Sequence, residues 1–354
     1  MKTPSIRNIL VPIDFSPMSI QAIKTAKAFA RRFGAAVHLA HVHQPYYPDG
    51  FTVHVPHVIA YSPYDYEQEA EKKAARELIL LAKKHGLSPS ATHLLVGAPA
   101  YDEICRLARE LPADLVVMPT QGRTGLEHVL LGSTAERIVQ HSPCPVFVAR
   151  NRTGTTARGI KNILVPVDYS ECSLAGLRYA IEFARKVVAR LTVLHVADLG
   201  PQLMTEGCGV YHLSPYKEAA GRASKPQMRA FLRGVNFGSV PFKTAAIAGF
   251  CPDGLCRAAE EEKVDLIIMS THGRAGLKHV LIGSIAERVV QHAPCAVLVV
   301  PSHPAMRAAN VTKRTAFKAP MRSRPAKIRL KPLRAVAGGS RSRGRPISQF
   351  ITPS

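Results

Sequence analysis

The segment ILVPIDFS at residues 9–16 recurs as ILVPVDYS at residues 163–170. An apolar run of this length that closes on Pro, an aliphatic residue and Asp is typical of a buried strand leading into a turn. The two copies lie 154 residues apart, since Asp14 corresponds to Asp168. The chain of 354 residues therefore contains an internal repeat, and each copy is long enough to form one domain.

A longer block repeats near the end of each copy. Residues 122–149, GRTGLEHVLLGSTAERIVQHSPCPVFVA, match residues 273–300, GRAGLKHVLIGSIAERVVQHAPCAVLVV, at 19 of 28 positions. The offset in this block is 151, so the copies differ by a net three residues between the two blocks. We predict domains at residues 1–150 and 160–301, a linker at 151–159 and a tail at 302–354.

Short apolar runs alternate with helical patterns in each copy. In the first copy the runs lie near residues 8–13, 37–42, 92–96, 114–118 and 146–149, and the helical patterns lie at 17–33, 65–85, 101–110 and 133–141. Near-continuous apolar runs indicate strands that are covered by helices on both faces. The pattern predicts an α/β fold of two tandem doubly wound, Rossmann-like domains, each with a five-stranded parallel sheet. Glycines and Pro226 between residues 197 and 240 predict a shorter or irregular second helix in the second copy.

The composition excludes several classes of protein. Hydrophobic residues make up 46% and charged residues 20% of the chain, which are values of ordinary globular proteins. No apolar run approaches the roughly 18 residues that span a bilayer, and Arg7 and Asp14 interrupt any signal-peptide core. We therefore expect a cytoplasmic protein without a transmembrane segment. The seven cysteines form no CxxC pair, which predicts reduced thiols rather than a zinc framework or a disulfide ladder.

The net charge of +22 is concentrated in the tail. Residues 302–354 contain 13 Lys and Arg residues and no Asp or Glu, which leaves a net charge of +9 on the rest of the chain. Pro, Ala and Gly between the charges predict a disordered basic arm. Such an arm can bind the phosphate backbone of a nucleic acid, contact an acidic partner or a membrane surface, or remain solvated, and the sequence leaves these alternatives open.

The candidate binding residues lie where the predicted strands end. Open parallel sheets bind ligands beyond the carboxyl ends of their strands. Asp14 and Asp168 follow the first strand of each copy, and a Gly-Ser pair precedes the fourth helix, at Gly132 and Ser133 and at Gly283 and Ser284. Glycine lets a phosphate approach backbone N–H groups, and a helix N-terminus attracts anions. We therefore predict a ligand that is anionic at one end.

These residues also have purely structural interpretations. Ser133 with Glu136, and Ser284 with Glu287, fit the S-x-x-E capping box, so that a cap and a phosphate contact explain the serines equally well. Asp14 can brace the turn that leads into the first helix. His41 and His43, with His54 and His57, raise the question of a metal, but polar or loop histidines are the better interpretation, and we predict no metal site.

Both copies resemble UspA-type universal stress protein domains, over residues 6–150 and 160–301. The resemblance rests on the repeated strand-one segment, on Gly97 and Gly249 before the third helix, and on the glycine block. ATP-binding members of this family carry G-x2-G-x9-G-[ST] after the fourth strand. The last two glycines of that pattern are present in each copy and are followed by Ser, at Gly122 and Gly132 and at Gly273 and Gly283. Its first glycine is replaced by Pro119 in the first copy and by Ser270 in the second.

The resemblance implies a universal stress protein that binds ATP or a related adenine nucleotide, with Mg²⁺ as a possible companion, and acts as a regulatory or protective module in the stress response. It places the side chains of Asp14 and Asp168, and the backbone of Val42 and Val196, at the adenine and ribose end. The residues expected at the phosphates are Gly122, Gly132, Ser133, Gly273, Gly283 and Ser284. Charge alone adds Arg123 and Arg274 as phosphate partners, although a solvated loop arginine explains them too. Serine keeps the backbone N–H that proline lacks, so we expect the second site, with Ser270, to bind better.

Two common sequence motifs of catalytic sites are absent. Neither G-x4-G-K-[ST] nor G-x-S-x-G occurs. We predict no catalytic residue, and slow ATP hydrolysis or autophosphorylation at most. The alternative function is that of a nucleic-acid-associated stress protein whose tail supplies the affinity. The last strands, near 146–149 and 297–300, are expected to pair either the two domains of one chain or two chains as a homodimer.

Overall fold

The first half of the chain alternates strands and helices as its sequence predicts. A computed structural model describes residues 6–45, 63–120, 131–150, 159–198, 214–271 and 283–301. The strands of the first half are β1 (Asn8–Pro12), β2 (Ala36–His43), β3 (Thr92–Val96), β4 (Leu115–Pro119) and β5 (Val146–Ala149). Its helices are α1 (Pro17–Phe33), α2 (Pro63–Lys84), α3 (Ala100–Glu110) and α4 (Ser133–His141). All of these elements are predicted from the sequence, and no boundary moves by more than two residues.

The second half repeats this order. Its strands are β6 (Asn162–Pro166), β7 (Arg190–Asp198), β8 (Phe242–Gly249), β9 (Leu266–Ser270) and β10 (Ala296–Val300). Its helices are α5 (Glu171–Val187), α6 (Ser214–Phe231), α7 (Cys251–Glu261) and α8 (Ser284–His292). Helix α6 has 18 residues with Pro226 inside it, whereas its counterpart α2 has 22 residues. The prediction of a shorter second helix in this half is therefore confirmed.

All ten strands form one sheet, in the order β3-β2-β1-β4-β5-β10-β9-β6-β7-β8. Within each half the strands are parallel, in agreement with the predicted doubly wound fold. The strands are apolar along their length because helices cover both faces. Helices α1, α2, α5 and α6 contribute to the hydrophobic core on one face, and helices α3, α4, α7 and α8 contribute to the core on the other.

The two halves join through their last strands. β5 and β10 pair antiparallel, with Leu298 opposite Phe147 in the register. On one face of this seam Phe29 of α1 meets its counterpart Phe183 of α5 edge-on, with ring centroids 5.9 Å apart, and Phe29 also contacts Phe147 at 4.9 Å. On the other, the Arg150 guanidinium donates to the carbonyl of Val290 at 2.8 Å, in the last turn of α8, where a cation is favourable. The pairing of domains through the last strands thus occurs within one chain.

The first helix of each half begins and ends on local signals. Ser16 is the N-cap of α1, and its hydroxyl accepts a hydrogen bond from the Ser19 N–H at 3.1 Å. Pro17 occupies the first turn, and Gly34 ends the helix in the left-handed conformation with φ of 70°. The equivalent position after α5 is Val188, which adopts φ of 60° although it is β-branched and 74% exposed. Valine is strained in this conformation because its Cβ crowds the backbone.

No helix within the described ranges is long and apolar enough to cross a membrane. The predicted linker, except for Gly159, and the basic tail lie outside the described residues.

Replacing Val188 by glycine should stabilise the protein. We expect the free energy of unfolding to rise by about 1 kcal/mol. The left-handed conformation costs an L-residue roughly 1–2 kcal/mol, and glycine avoids this cost. Part of the stabilisation is lost because glycine gives the unfolded chain more conformational entropy. The measurement is urea unfolding of the full chain followed by circular dichroism. Gly34→Val is the matched control and should be destabilising. A Cβ at Gly34 would meet nothing within 4 Å, so the whole cost of this substitution comes from the left-handed backbone conformation. A less stable Val188→Gly protein would show that the valine side chain contributes more packing than its backbone costs.

Candidate functional site

The strand order reverses at the central strand of each half, and in open α/β sheets such a reversal creates a crevice beyond the carboxyl ends of the strands. The chain proceeds from β1 outward to β2 and β3, and then returns to place β4 and β5 on the other side of β1. Such a switch in strand order is where open α/β sheets bind ligands. The β1–β2 pairing ends at Pro12 and Ala40, whereas β2 continues along β3 as far as His43. In the second half, β6 ends opposite Leu194 and β7 continues to Asp198.

An aspartate, Asp14 or Asp168, is the second residue after the end of each central strand. The Asp14 Oδ1 atom accepts hydrogen bonds from the N–H of Ser16 at 3.0 Å and from its hydroxyl at 2.6 Å. Asp168 holds Ser170 in the same way, at 3.1 and 2.6 Å. The carboxylate therefore braces the turn that starts the next helix, as its structural interpretation predicts. This bracing fixes the position of the carboxylate at the carboxyl edge of the sheet.

The residue after each aspartate takes an unusual backbone conformation. Phe15 has φ of 63° and Tyr169 has φ of 67°, both in the left-handed region. The ring of Phe15 packs against His41 at 4.6 Å, and Tyr169 stacks on His195 at 4.2 Å. Backbone strain of this kind persists only where surrounding contacts enforce it, and it is concentrated at functional sites.

A histidine from the second strand supports each turn. The Nδ1 atom of His41 lies 2.7 Å from the carbonyl oxygen of Ile13, and that of His195 lies 2.8 Å from the carbonyl oxygen of Val167. Because a carbonyl only accepts, each ring carries its proton on Nδ1. Sequence reasoning considered His41 only as a metal ligand and did not consider His195. The two are 154 residues apart, which is the offset of the aspartates, so the repeat itself contained the signal.

A glycine begins the fourth helix of each half. Gly132 is the N-cap of α4 and Gly283 is the N-cap of α8, and neither helix has a side-chain cap bond. The Gly132 N–H donates to the Thr120 carbonyl at 2.9 Å, and the Gly283 N–H donates to the Thr271 carbonyl at 2.8 Å. Thr120 and Thr271 directly follow β4 and β9, so these bonds hold the helix N-terminus against the strand end. The crevice and the N-terminus of the helix therefore meet at one edge of the sheet.

Of the two interpretations of Ser133 and Ser284, the capping box is wrong. Ser133 and Ser284 are the first residues of their helices rather than N-caps, and both are exposed. In a capping box the glutamate is three residues after the N-cap, but here Glu136 and Glu287 are four residues after the N-cap glycines. The Glu136 carboxylate instead accepts from Gln140 at 3.1 Å, one turn further along the helix. Since a glycine cannot supply a side-chain acceptor, the N–H groups of the first turn suit an external anion.

The remaining sequence-predicted residues lie at varied positions. Val42 and Val196 are inside β2 and β7, where they pair with Leu95 and Ile247 of the edge strands. Pro119 and Ser270 are the last residues of β4 and β9. A Cβ on Gly176 of α5 would lie 3.4 Å from the Ser270 nitrogen, so this helix packs closely on the strand end. Gly122, Arg123, Gly273 and Arg274 lie outside the described residues.

Other reactive side chains have structural partners. His43, considered above as a metal ligand, contacts the Glu67 carboxylate of α2 at 2.8 Å, while His54 and His57 lie outside the described residues. Six of the seven cysteines are described, and these six are free thiols, as predicted. Burial raises the pKa of Cys105 to about 11 and that of Cys144 and Cys295 to about 12. These three thiols are protonated at neutral pH and are unsuited to act as nucleophiles.

Comparison with known proteins gives a consistent result. A model of the universal stress protein family matches residues 5–150 and 159–301. A universal stress protein of Methanocaldococcus jannaschii is 31% identical over 140 residues, which cover 40% of this chain and 81% of that protein. A putative universal stress protein of Staphylococcus aureus strain USA300 is 32% identical over 149 residues, with 41% and 84% coverage. Each of these relatives therefore corresponds in length to about one half of this chain.

A solved structure extends the likeness to both halves. The crystal structure of a universal stress protein from Archaeoglobus fulgidus covers 86% of this chain and 100% of its own, with a TM-score of 0.58. Its sequence identity of 17% limits the likeness to the fold.

The two N-cap glycines should differ in their tolerance of a side chain. A Cβ at Gly283 would lie 3.3 Å from the Thr271 carbonyl oxygen, whereas a Cβ at Gly132 would lie 3.7 Å from that of Thr120. Both glycines have φ of −71°, so alanine introduces no backbone strain at either position. We expect Gly283→Ala to cost about 1 kcal/mol more stability than Gly132→Ala, because tight packing leaves the carbonyl little room to move.

Thermal unfolding of the two variants beside the unmodified chain measures this difference. Equal losses of stability would contradict it and would show that the Thr271 carbonyl moves aside freely.

Proposed function

The chain belongs to the universal stress protein family, and we propose that it binds adenine nucleotides, ATP foremost, at the crevices beyond β1 and β6. The nucleotide serves a regulatory or protective module of the stress response rather than a fast enzyme. The observation that carries this proposal is the glycine-started helix, α4 or α8, which is tied by a backbone hydrogen bond to the strand end beside the crevice. A helix N-terminus without a side-chain cap, placed at a topological switch point, is suited to hold phosphate.

The residues present fit the phosphate end of such a ligand. Gly132 and Gly283 let the helix start lie close to the threonine carbonyls, whose oxygens would be only 3.7 and 3.3 Å from an added Cβ. Ser133 and Ser284 are exposed at the helix start, where their hydroxyl and N–H groups can donate to phosphate oxygens. The glycine pattern that continues through Gly122 and Gly273 matches the family's nucleotide-binding pattern at these positions.

The aspartates fit the other end of the ligand. A carboxylate accepts hydrogen bonds, so Asp14 and Asp168 suit the hydroxyl groups of a ribose and disfavour a phosphate. Their bonds to Ser16 and Ser170 fix the carboxylates before the ligand arrives, which reduces the entropy that binding costs. Val42 and Val196 lie on the neighbouring strands β2 and β7, which continue beyond the central strand, and their backbone would contact the base.

Mg²⁺ is proposed as a companion of the phosphates. Glu136 and Glu287 lie in the first turns of α4 and α8, where they would repel a bare triphosphate. A cation bound to the phosphates offsets this repulsion. A bound triphosphate also supplies a transferable phosphoryl group, but the proposed function requires only binding and the ordering of the surrounding residues.

We propose that the second half is the stronger site. Ser270 retains a backbone N–H at the end of β9, where Pro119 of β4 has none. Helix α5 also packs closely on Ser270 at Gly176, and this contact holds the end of β9 in place. A preformed strand end loses less entropy when the ligand binds.

Calorimetric titration of the full chain with ATP and Mg²⁺ tests this function. We expect Gly283→Val to lower the affinity of the tighter site at least tenfold, because two methyl groups would occupy the phosphate space. Gly132→Val is the matched variant and should leave the tighter site unchanged. GTP, ADP and cyclic AMP, titrated in parallel, establish whether the base and the phosphate chain are recognised.

Two controls accompany this titration. Repeating it at higher salt removes nonspecific binding of phosphates by the basic tail, because such binding weakens steeply with ionic strength. Circular dichroism confirms that both variants fold. A folded Gly283→Val variant with unchanged ATP affinity at the tighter site would disprove the placement of the phosphates, and absence of ATP binding by the unmodified chain would disprove the function.

A further inference from the structure

Two histidines meet at the outer edge of the sheet, away from the candidate nucleotide site. His38 is on β2 and His93 is on the edge strand β3. The Nδ1 atom of His38 lies 3.2 Å from the Nε2 atom of His93, and the ring centroids are 5.4 Å apart. Both residues are near the amino ends of their strands, whereas the crevice of this half lies beyond the carboxyl ends. The pair is therefore separate from the proposed nucleotide site.

Both imidazoles are partly buried and face each other. Burial lowers the pKa of His38, and burial together with the neighbouring His38 lowers that of His93. Both rings are therefore neutral at neutral pH, which is the form in which histidine binds a metal. Each neutral ring has one nitrogen that carries no proton and can donate its lone pair.

The distance between the two nitrogens is compatible with two arrangements. A neutral imidazole can donate an N–H···N hydrogen bond to its neighbour, and 3.2 Å is at the long end for such a bond. Two nitrogens bound to one tetrahedral zinc ion lie about 3.3 Å apart, given Zn–N distances of roughly 2.0–2.1 Å. The sheet register thus already holds the two nitrogens at the separation that a shared ion requires.

The pair is confined to one half of the repeat. The position equivalent to His38 is Thr192, at the offset of 154. The position equivalent to His93 is Ala245, which pairs with Leu194 as His93 pairs with Ala40. Since the same fold forms in the second half without either histidine, the pair is not a requirement of the scaffold.

We propose that His38 and His93 form a binding site for a divalent first-row transition metal ion, with Zn²⁺ as its representative. Imidazole nitrogen suits Zn²⁺, Cu²⁺ and Ni²⁺, whereas Mg²⁺ and Ca²⁺ prefer oxygen. No group of three or more His, Cys, Asp and Glu residues suited to a metal occurs in the described part of the chain, so water completes the coordination. The ion would link the edge strand β3 to its neighbour β2. These two strands pair although they are far apart in the sequence.

Titration of the full chain with Zn²⁺ alone, followed by calorimetry, tests the site. We expect His38→Ala and His93→Ala each to weaken one Zn²⁺ site at least tenfold. The double variant should be little worse than either single variant, since one remaining imidazole cannot hold the ion well. His292→Ala removes an exposed histidine at the end of α8 and is the matched control, which should bind Zn²⁺ as the unmodified chain does.

A second variant separates metal binding from hydrogen bonding. Glutamine at position 93 can still hydrogen-bond to His38 but lacks an imidazole, so His93→Gln should keep the thermal stability of the metal-free protein. We expect added Zn²⁺ to raise the unfolding temperature of the unmodified chain more than that of this variant. Zn²⁺ titrations that are the same for the unmodified chain, His38→Ala and His93→Ala would overturn the proposal and leave an N–H···N hydrogen bond.

Discussion

The antiparallel pairing of β5 with β10 is the interaction on which the rest of the structure depends. Val146, Phe147 and Val148 of β5 are almost completely buried, as is β10 along its whole length. In an isolated half these strands would form an apolar edge with unpaired N–H and C=O groups, which is an aggregation hazard. Their pairing removes that edge and brings Phe29 against Phe183, so the two halves share both hydrophobic cores. The repeat is therefore two copies in sequence that share one sheet and two hydrophobic cores in structure.

The crevices follow from this rigid sheet. Each central strand ends early between neighbours that continue, and three kinds of contact then shape the turn that follows it. A serine fixes the aspartate, a histidine fixes the carbonyl before it, and an aromatic ring in a left-handed conformation packs on that histidine. These contacts recur in both halves with nearly the same distances. The geometry is thus preformed by neighbouring residues, which lowers the entropy that binding of the proposed ligand would cost.

Much of this arrangement is readable in the sequence, and the failures have physical causes. The strands and helices are predictable because their apolar patterns and the Ser16, Pro17 and Gly34 signals are local. The capping-box interpretation of Ser133 failed because the N-cap is one residue earlier, at Gly132, whose N–H is held by the Thr120 carbonyl at the end of β4, and a local motif does not reveal this contact. The role of His41 and His195 required comparison of the two copies. The meeting of His38 with His93 depends on the β2–β3 register across 55 residues, which no local pattern determines.

The antiparallel pairing of β5 with β10 also determines the rim of the sheet at which the strands of each half end. Because the strands of the two halves run in opposite senses, their carboxyl ends lie on opposite rims of the sheet. The central strands β1 and β6 are five positions apart in the strand order, or about 24 Å at the usual spacing of strands. This separation exceeds the Debye length of about 8 Å at physiological ionic strength, so the charges of two bound ligands barely repel each other. Under the proposed function, occupancy of one rim would therefore be electrostatically independent of the other, and a partner that recognises one ligand would approach from the side opposite to a partner that recognises the second.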